Sequence, residues 1–356
     1  MSGLETLIPV TEEPLNAETP LAALRFDITP SELVYVRSHF AIPTIDAEIW
    51  RLKVSGAVES PGIWSLRELQ ALPAVEQIIV LECAGNGRSG MDPVPAGTPW
   101  GLGAVSFIHC TGTPLVNVLH RAGISPEAVE VLFFGADHGE VTPGRQDAYA
   151  RSLPIREAIS PDILLVWAVN GHPLSPEHGY PLRLIVPTWY GMASVKWLEE
   201  IRAVTEPFRG YFQSEHYTFQ GDADVPDGHP VDKIRIRSVI TSPGDGGVIP
   251  QGDVEILGAA WSSDHSISEV LVSTDLGVSW DNAVLQPPPS IFGAWQWRFQ
   301  WLSPEPGGYT ILARAFDSDG GSQPLTHRWN LLGYGNNGVR GIKVRVLSSS
   351  SRPVAP

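Results

Sequence analysis

Between Trp50 and Glu59 apolar and polar residues alternate, Trp-Arg-Leu-Lys-Val-Ser-Gly-Ala-Val-Glu, which is the period of a half-buried strand. Ser65 then stands at a helix-capping position with Glu68 three residues on, so a capping box is expected to open a short helix over 66–72. Residues 77–82, 129–134 and 163–169 are apolar runs of strand length, and 182–186 and 195–204 add two more. Pro154 predicts a brief helix through Ala158, because proline suits the first helical turn. Thr29-Pro30-Ser31 predicts a helical turn leading into Leu33-Val34-Tyr35-Val36, and residues 1–30 read as an extended arm.

The texture changes in two places. Residues 210–231 are rich in Gly, Asp, Pro and His and read as a linker. From Lys233 onward, short strand candidates at 234–240, 254–257, 268–272 and 309–315 recur with turn signals between them, the pattern of an antiparallel sandwich of immunoglobulin type. The fold expected is therefore a β-rich α+β protein with a first domain over 1–232 and an immunoglobulin-like domain over 233–356.

Length fits that division: 356 residues exceed one ordinary domain and let each half bury its own core. The 32 prolines and 35 glycines spread along the chain suit short strands and many turns better than a helical bundle. A net charge of −15 argues against nucleic-acid or anionic-membrane partners, which are drawn to clustered Lys and Arg. No apolar stretch approaches the ~20 residues that cross a bilayer. The N-terminus lacks a basic start followed by an apolar core, and with two cysteines in all, Cys83 and Cys110, a reducing compartment is expected. That expectation is cytoplasmic, or periplasmic if a leader has been removed.

The segment richest in chemistry is Leu81-Glu82-Cys83-Ala84-Gly85-Asn86-Gly87-Arg88-Ser89. It places a cysteine where a strand opens into a glycine-rich loop, and an adjacent arginine favours the metal-binding thiolate. A lone cysteine is also an ordinary small apolar residue of a core. Zinc would need three or four protein ligands, and no second Cys or paired His lies at suitable spacing. A metal held by one thiolate must bring its other ligands with it, which points to a metal bound by an organic cofactor.

Cys83-Ala84-Gly85-Asn86 resembles the cysteine motif of the sulfite oxidase family of molybdenum enzymes. Three further segments resemble that family in the same order. They are Asn16-Ala17-Glu18-Thr19-Pro20 with Leu33-Val34-Tyr35-Val36-Arg37-Ser38-His39, then His178-Gly179-Tyr180-Pro181-Leu182-Arg183, then Tyr190-Gly191-Met192-Ala193-Ser194-Val195-Lys196-Trp197. Val272 to Trp280, Trp295-Gln296-Trp297 and Arg314-Ala315-Phe316-Asp317 resemble its dimerisation domain. The resemblance covers nearly the whole chain and implies a mixed α/β molybdopterin domain, a homodimer, and no haem domain.

It also implies a site. Cys83 would bind molybdenum beside molybdopterin. The pterin would be held by Tyr35, Val36, Arg37, Ser38, His39, Asp137, His178, Arg183, Ser194, Val195 and Lys196. Independently of the resemblance, a pterin with a phosphate tail needs hydrogen-bond partners and cations, and His39, His178, Arg183, Ser194 and Lys196 supply both. Arg37 and Arg88 would anchor an oxyanion, since guanidinium binds such oxygens bidentately. Trp100 would wall the pocket and Tyr217 would donate a hydrogen bond in it. Gly87, Ser38 and Leu332 depart from the family pattern, Leu332 standing where the animal enzymes carry another substrate arginine. The activity implied is oxidation of sulfite to sulfate, with electrons passed to an external acceptor such as cytochrome c. A reductase of nitrate or an S-oxide and a metal-free binding protein are the alternatives.

Overall fold

The computed structural model describes residues 6–348. The strand Val75–Glu82 pairs antiparallel with Val105–Pro114, which pairs in turn with Leu164–Val169. Arg183–Ile185 and His172–Pro173 complete that sheet. A second, mixed sheet runs in the order Gly62–Trp64, Leu52–Gly56, Leu198–Val204, Glu130–Thr142, Arg145–Pro154, with Leu52–Gly56 and Leu198–Val204 parallel. Leu52 and Val54 point inward while Lys53 is exposed, so the alternation read from the sequence is the burial pattern observed. Leu52, Phe107, Phe133, Leu165 and Ile201 belong to one core.

The capping box forms as expected: the Ser65 hydroxyl accepts from the Glu68 N–H, and the Glu68 carboxylate accepts from the Ser65 N–H. A longer helix, Leu115–Ala122, went unread although Leu115, Val118, Leu119 and Ala122 repeat at helical spacing and are all buried. It ends on Gly123, whose φ of +64° is the left-handed cap that glycine takes without strain.

Two expectations need correction. The N-terminal arm is paired: Ile8–Thr11, Asn16–Glu18 and Val36–Arg37 make a three-stranded sheet, with a 3-10 turn at Leu21–Arg25 between the second and third strands. The Asn16 amide nitrogen donates to Thr11 Oγ1 and to the Pro14 carbonyl, which folds the arm back on itself. The stretch 210–231 is no linker. Phe212, Tyr217, Phe219 and Val231 are buried in the same core as Leu52, and a π-helical turn at Tyr211–Glu215 carries the first of them inward.

The C-terminal half is the expected immunoglobulin-like sandwich. A four-stranded sheet (Arg237–Ser242, Val254–Trp261, Trp295–Trp301, Val284–Gln286) accompanies a five-stranded one built on Gly307–Asp317 and Ile342–Leu347. Ile240, Ile256, Val270, Ile311 and Val344 form a separate core there. At one end Trp261 leaves that core for the first, packing edge-on to Phe107 at 5.8 Å. Among the described residues no helix is long and apolar enough to cross a membrane.

Candidate active site

Chain and sheet part company at Cys83. Its N–H donates to the Ala104 carbonyl at 2.8 Å, its carbonyl accepts from the Asn86 N–H at 2.9 Å, and Gly87 turns the chain with φ +84°. The side chain is buried and unpaired with Cys110. Contrary to the expectation from the adjacent arginine, the isolated thiol is not activated. Burial pushes its pKa up, and Arg37, the Gly85 N–H and Arg88 only oppose that shift.

Cys83 borders two adjoining cavities. Arg37 and Tyr217 border both.

The first cavity gathers several polar side chains on a partly apolar lining. Asp137, Arg183, Ser194 and Lys196 line it with Tyr35 and His39. Arg183 donates to the His178 and Ser194 carbonyls at 3.1 and 3.3 Å, and Lys196 donates to the Glu177 carbonyl at 2.6 Å. Burial and the nearby Arg183 push Lys196 well below the usual lysine range, while burial raises Asp137 to about 6 against the pull of Lys196. Asp137 Oδ1, Arg183 Nε and, next to Arg37 in the chain, Ser38 Oγ are buried without a hydrogen-bond partner among the described residues. Such groups are costly unless something else meets them. His39 stacks on Tyr149 at 4.7 Å and shares a 2.7 Å hydrogen bond with the Tyr217 hydroxyl. Burial, then Arg37, His216 and Lys196, hold its imidazole neutral well below 6.5.

The second cavity is faced by two guanidinium groups. Arg37 donates to Asn16 Oδ1 at 3.2 Å and to the Ser38 carbonyl. Arg88 donates through Nε to the Leu332 carbonyl and through Nη1 to the Thr98 carbonyl at 2.7 Å, and lies 5.2 Å from the Tyr334 ring centre. Neither arginine forms an ion pair among the described residues. Trp100 walls this cavity and meets Tyr35 edge-on at 6.5 Å.

Four expected residues sit outside both linings, among them Ser38, which is buried and whose N–H donates to Asn16 Oδ1 at 3.0 Å. Val36 is buried and paired with Ala17, and Val195 is in the core with its N–H and carbonyl bonded to Ala193 and Leu184. His178 shares a 2.9 Å bond with the Ser175 hydroxyl and lies 3.3 Å from the Tyr35 carbonyl, its pKa lowered to about 4 chiefly by burial. Sequence reading missed Tyr149, Met192, His216 and Tyr334. His216 had a signal, being next to Tyr217; Tyr149 lies in an otherwise polar strand, and Tyr334 arrives from the far half of the chain.

A cleft with unmet polar groups meets, at one thiol, a second cavity faced by two guanidiniums, an arrangement suited to an enzyme that holds a metal on an organic cofactor. A family model for an oxidoreductase molybdopterin binding domain matches residues 39–212, and one for a Mo-co oxidoreductase dimerisation domain matches 229–346. Mitochondrial sulfite oxidase of Homo sapiens is 33% identical over 363 residues, covering 94% of this chain and 65% of that protein. Nitrate reductase (NADH) 1 of Oryza sativa subsp. japonica is 34% identical over 380 residues, covering 96% of this chain and 41% of that protein. The crystal structure of the sulfane dehydrogenase SoxCD from Paracoccus pantotrophus superposes with a TM-score of 0.82 at 28% identity, covering 96% of this chain and 88% of that one. The chain thus spans less than two thirds of the length of the curated relatives it matches. It belongs to the sulfite oxidase family of molybdopterin-dependent oxidoreductases, and its cofactor is molybdopterin-bound molybdenum.

Proposed function

We propose that the chain oxidises sulfite to sulfate: sulfite and water give sulfate, two protons and two electrons, the electrons leaving for an external acceptor such as cytochrome c. The observation that carries this reading is the Cys83 side chain between a cavity with unmet hydrogen-bonding groups and a cavity faced by two guanidiniums that form no ion pair among the described residues.

The first cavity suits a pterin. Asp137 and Arg183 offer polar atoms with no other partner among the described residues, Arg37 offers positive charge, Lys196 offers an amine, and Tyr35, His39 and Ser194 complete the lining, with Ser38 and His178 outside it. Val36 and Val195 would act at one remove, by fixing the backbone that carries their lining neighbours Tyr35, Arg37, Ser194 and Lys196. When bound, the molybdenum cofactor supplies a centre that transfers an oxygen atom and takes up two electrons. Arg37 and Arg88 hold the anion, bringing orientation and charge compensation without a mobile counter-ion. Burial raises the Tyr217 pKa, so its hydroxyl keeps its proton and can donate in the second cavity. Trp100 keeps water from that wall. The C-terminal half would pair two copies into a homodimer.

Leu332 favours a second reading. Its side chain takes up wall in the second cavity with no charge to offer, which leaves two guanidiniums for the substrate. An anion of lower charge, such as nitrate, or a neutral S-oxide reduced at the same centre would fit that count.

Holoenzyme from a host that makes the cofactor separates the two. Sulfite with ferricyanide or cytochrome c is assayed against nitrate or methionine sulfoxide with reduced viologen. We expect sulfite turnover, lost in Cys83→Ser with the circular dichroism unchanged. Preference for the reductive substrates selects the second reading. Full activity in Cys83→Ser, or no molybdenum in the wild type, removes both.

A further inference from the structure

Glu82 is the last residue of its strand, and its side chain is completely buried one position before Cys83. It borders neither cavity. One carboxylate oxygen accepts from the Asn86 amide at 2.9 Å and lies 3.0 Å from Arg237 Nε; the other accepts from the Trp261 indole N–H at 2.8 Å. Arg237 and Trp261 face each other across neighbouring strands of the C-terminal half, so the ion-pairing guanidinium and the donating indole arrive in fixed register.

These partners also hold the loop. Arg237 donates to the Asn86 carbonyl at 3.2 Å and to the Asn336 carbonyl, and the Asn336 amide donates to the Gly87 carbonyl at 2.7 Å. The Gly335 N–H donates to the Ala84 carbonyl at 2.8 Å. Asn86 Oδ1 accepts from the Ala104 N–H, and the Ala104 carbonyl accepts from the Cys83 N–H. The backbone on either side of Cys83 is thereby referred to one carboxylate.

Stability alone does not account for such a group. A buried ion pair repays its desolvation poorly, and well-packed apolar side chains commonly hold as well. What a carboxylate adds is direction: two oxygens, each aimed at donors of known position. Groups behind a metal ligand set its orientation in this way.

We propose that Glu82 is a positioning residue: together with Arg237 and Trp261 it fixes the direction of the Cys83 sulfur, which makes the C-terminal half part of the metal site as well as a dimerisation module. The inference rests on the reading of Cys83 as the metal ligand.

The test compares wild type, Glu82→Gln and Trp261→Phe as full-length holoenzymes. The amide of Glu82→Gln keeps the shape but offers a donor where the carboxylate accepts. Molybdenum content or kcat should fall roughly 10- to 100-fold, with KM for sulfite within about threefold, since anion contacts are untouched. In metal-free full-length chain, iodoacetamide should modify Cys83 faster than in wild type, with buried Cys110 as internal control by peptide mapping. Trp261→Phe, which removes one donor only, should move all three readouts the same way by less. Unchanged molybdenum content, kcat and alkylation rate in Glu82→Gln overturn the proposal, even with a lowered melting temperature, because that pattern belongs to a structural residue. If Glu82→Gln does not fold, the same three readouts on Trp261→Phe decide. A wild type without molybdenum defeats the metal reading separately, and the alkylation comparison still judges the clamp.

Discussion

Arg88 and Leu332, 244 positions apart, are joined by a 3.1 Å hydrogen bond from the guanidinium Nε to the Leu332 carbonyl. With Nη1 spent on the Thr98 carbonyl, the guanidinium is locked and its remaining edge is what a ligand meets. Lysine has neither the fork nor the second donor plane. Arg88→Lys is therefore expected to raise KM for the anionic substrate about 10- to 100-fold, the equivalent of a charged hydrogen bond worth roughly 1.5–3 kcal/mol. Steady-state kinetics check it, and a KM equal to wild type would show that Arg88 does not face the substrate.

Glycines make the room in which Arg88 lies. A Cβ at Gly85 would come within 2.8 Å of Arg88 Nη2, and one at Gly97 within 3.2 Å of Nη1. Gly97 also has φ +114°, where any other residue is strained, whereas Gly85 carries no such constraint. Gly85→Ala isolates the steric effect: the guanidinium must shift, so KM should rise while the melting temperature moves little. A variant with wild-type KM would mean that Arg88 can move without consequence.

Local patterns made part of this legible. Alternation announced the strand at Leu52–Gly56, Ser65 and Glu68 announced their helix, and the Cys83 loop announced a turn at a strand end. The hairpin Glu130–Thr142 with Arg145–Pro154 was read only to Phe134, because its outer half is polar and interrupted by Gly135 and Gly139. Residues 210–231 misled because Gly, Asp and Pro dominate the composition while Phe212, Tyr217 and Phe219 anchor the stretch in the core. No local feature relates Glu82 to Arg237, or Arg88 to Tyr334. Those contacts exist only once the two halves meet.

Tyr217 and His39 share a 2.7 Å hydrogen bond at the lining of the first cavity. Tyr217→Phe removes the hydroxyl and leaves the buried imidazole without that partner, at a cost of about 1–3 kcal/mol. Turnover should fall more than stability implies, because the hydroxyl also borders the second cavity. Denaturant titration with kinetics separates these effects; full turnover at reduced stability would confine Tyr217 to packing.

His216 borders the same cavity, and its pKa is lowered from 6.5 to about 4 by burial, then by Arg37 and Arg88. The unfolded chain accepts this proton near 6.5, so between about 6.5 and about 4 the unfolded state binds more protons than the folded one. The contribution of His216 to stability is complete above that window and is lost as pH falls through it. Asp137 acts in the opposite sense, because burial raises it from 3.8 to about 6 and the folded state takes up its proton first. The overall pH curve mixes these signs. The difference between wild type and His216→Gln does not, since glutamine has no proton to bind in this range. The melting temperature of the wild type minus that of the variant should therefore shrink from about pH 7 to about pH 4. Parallel curves would mean that the imidazole is solvated and titrates in the fold as it does in the unfolded chain.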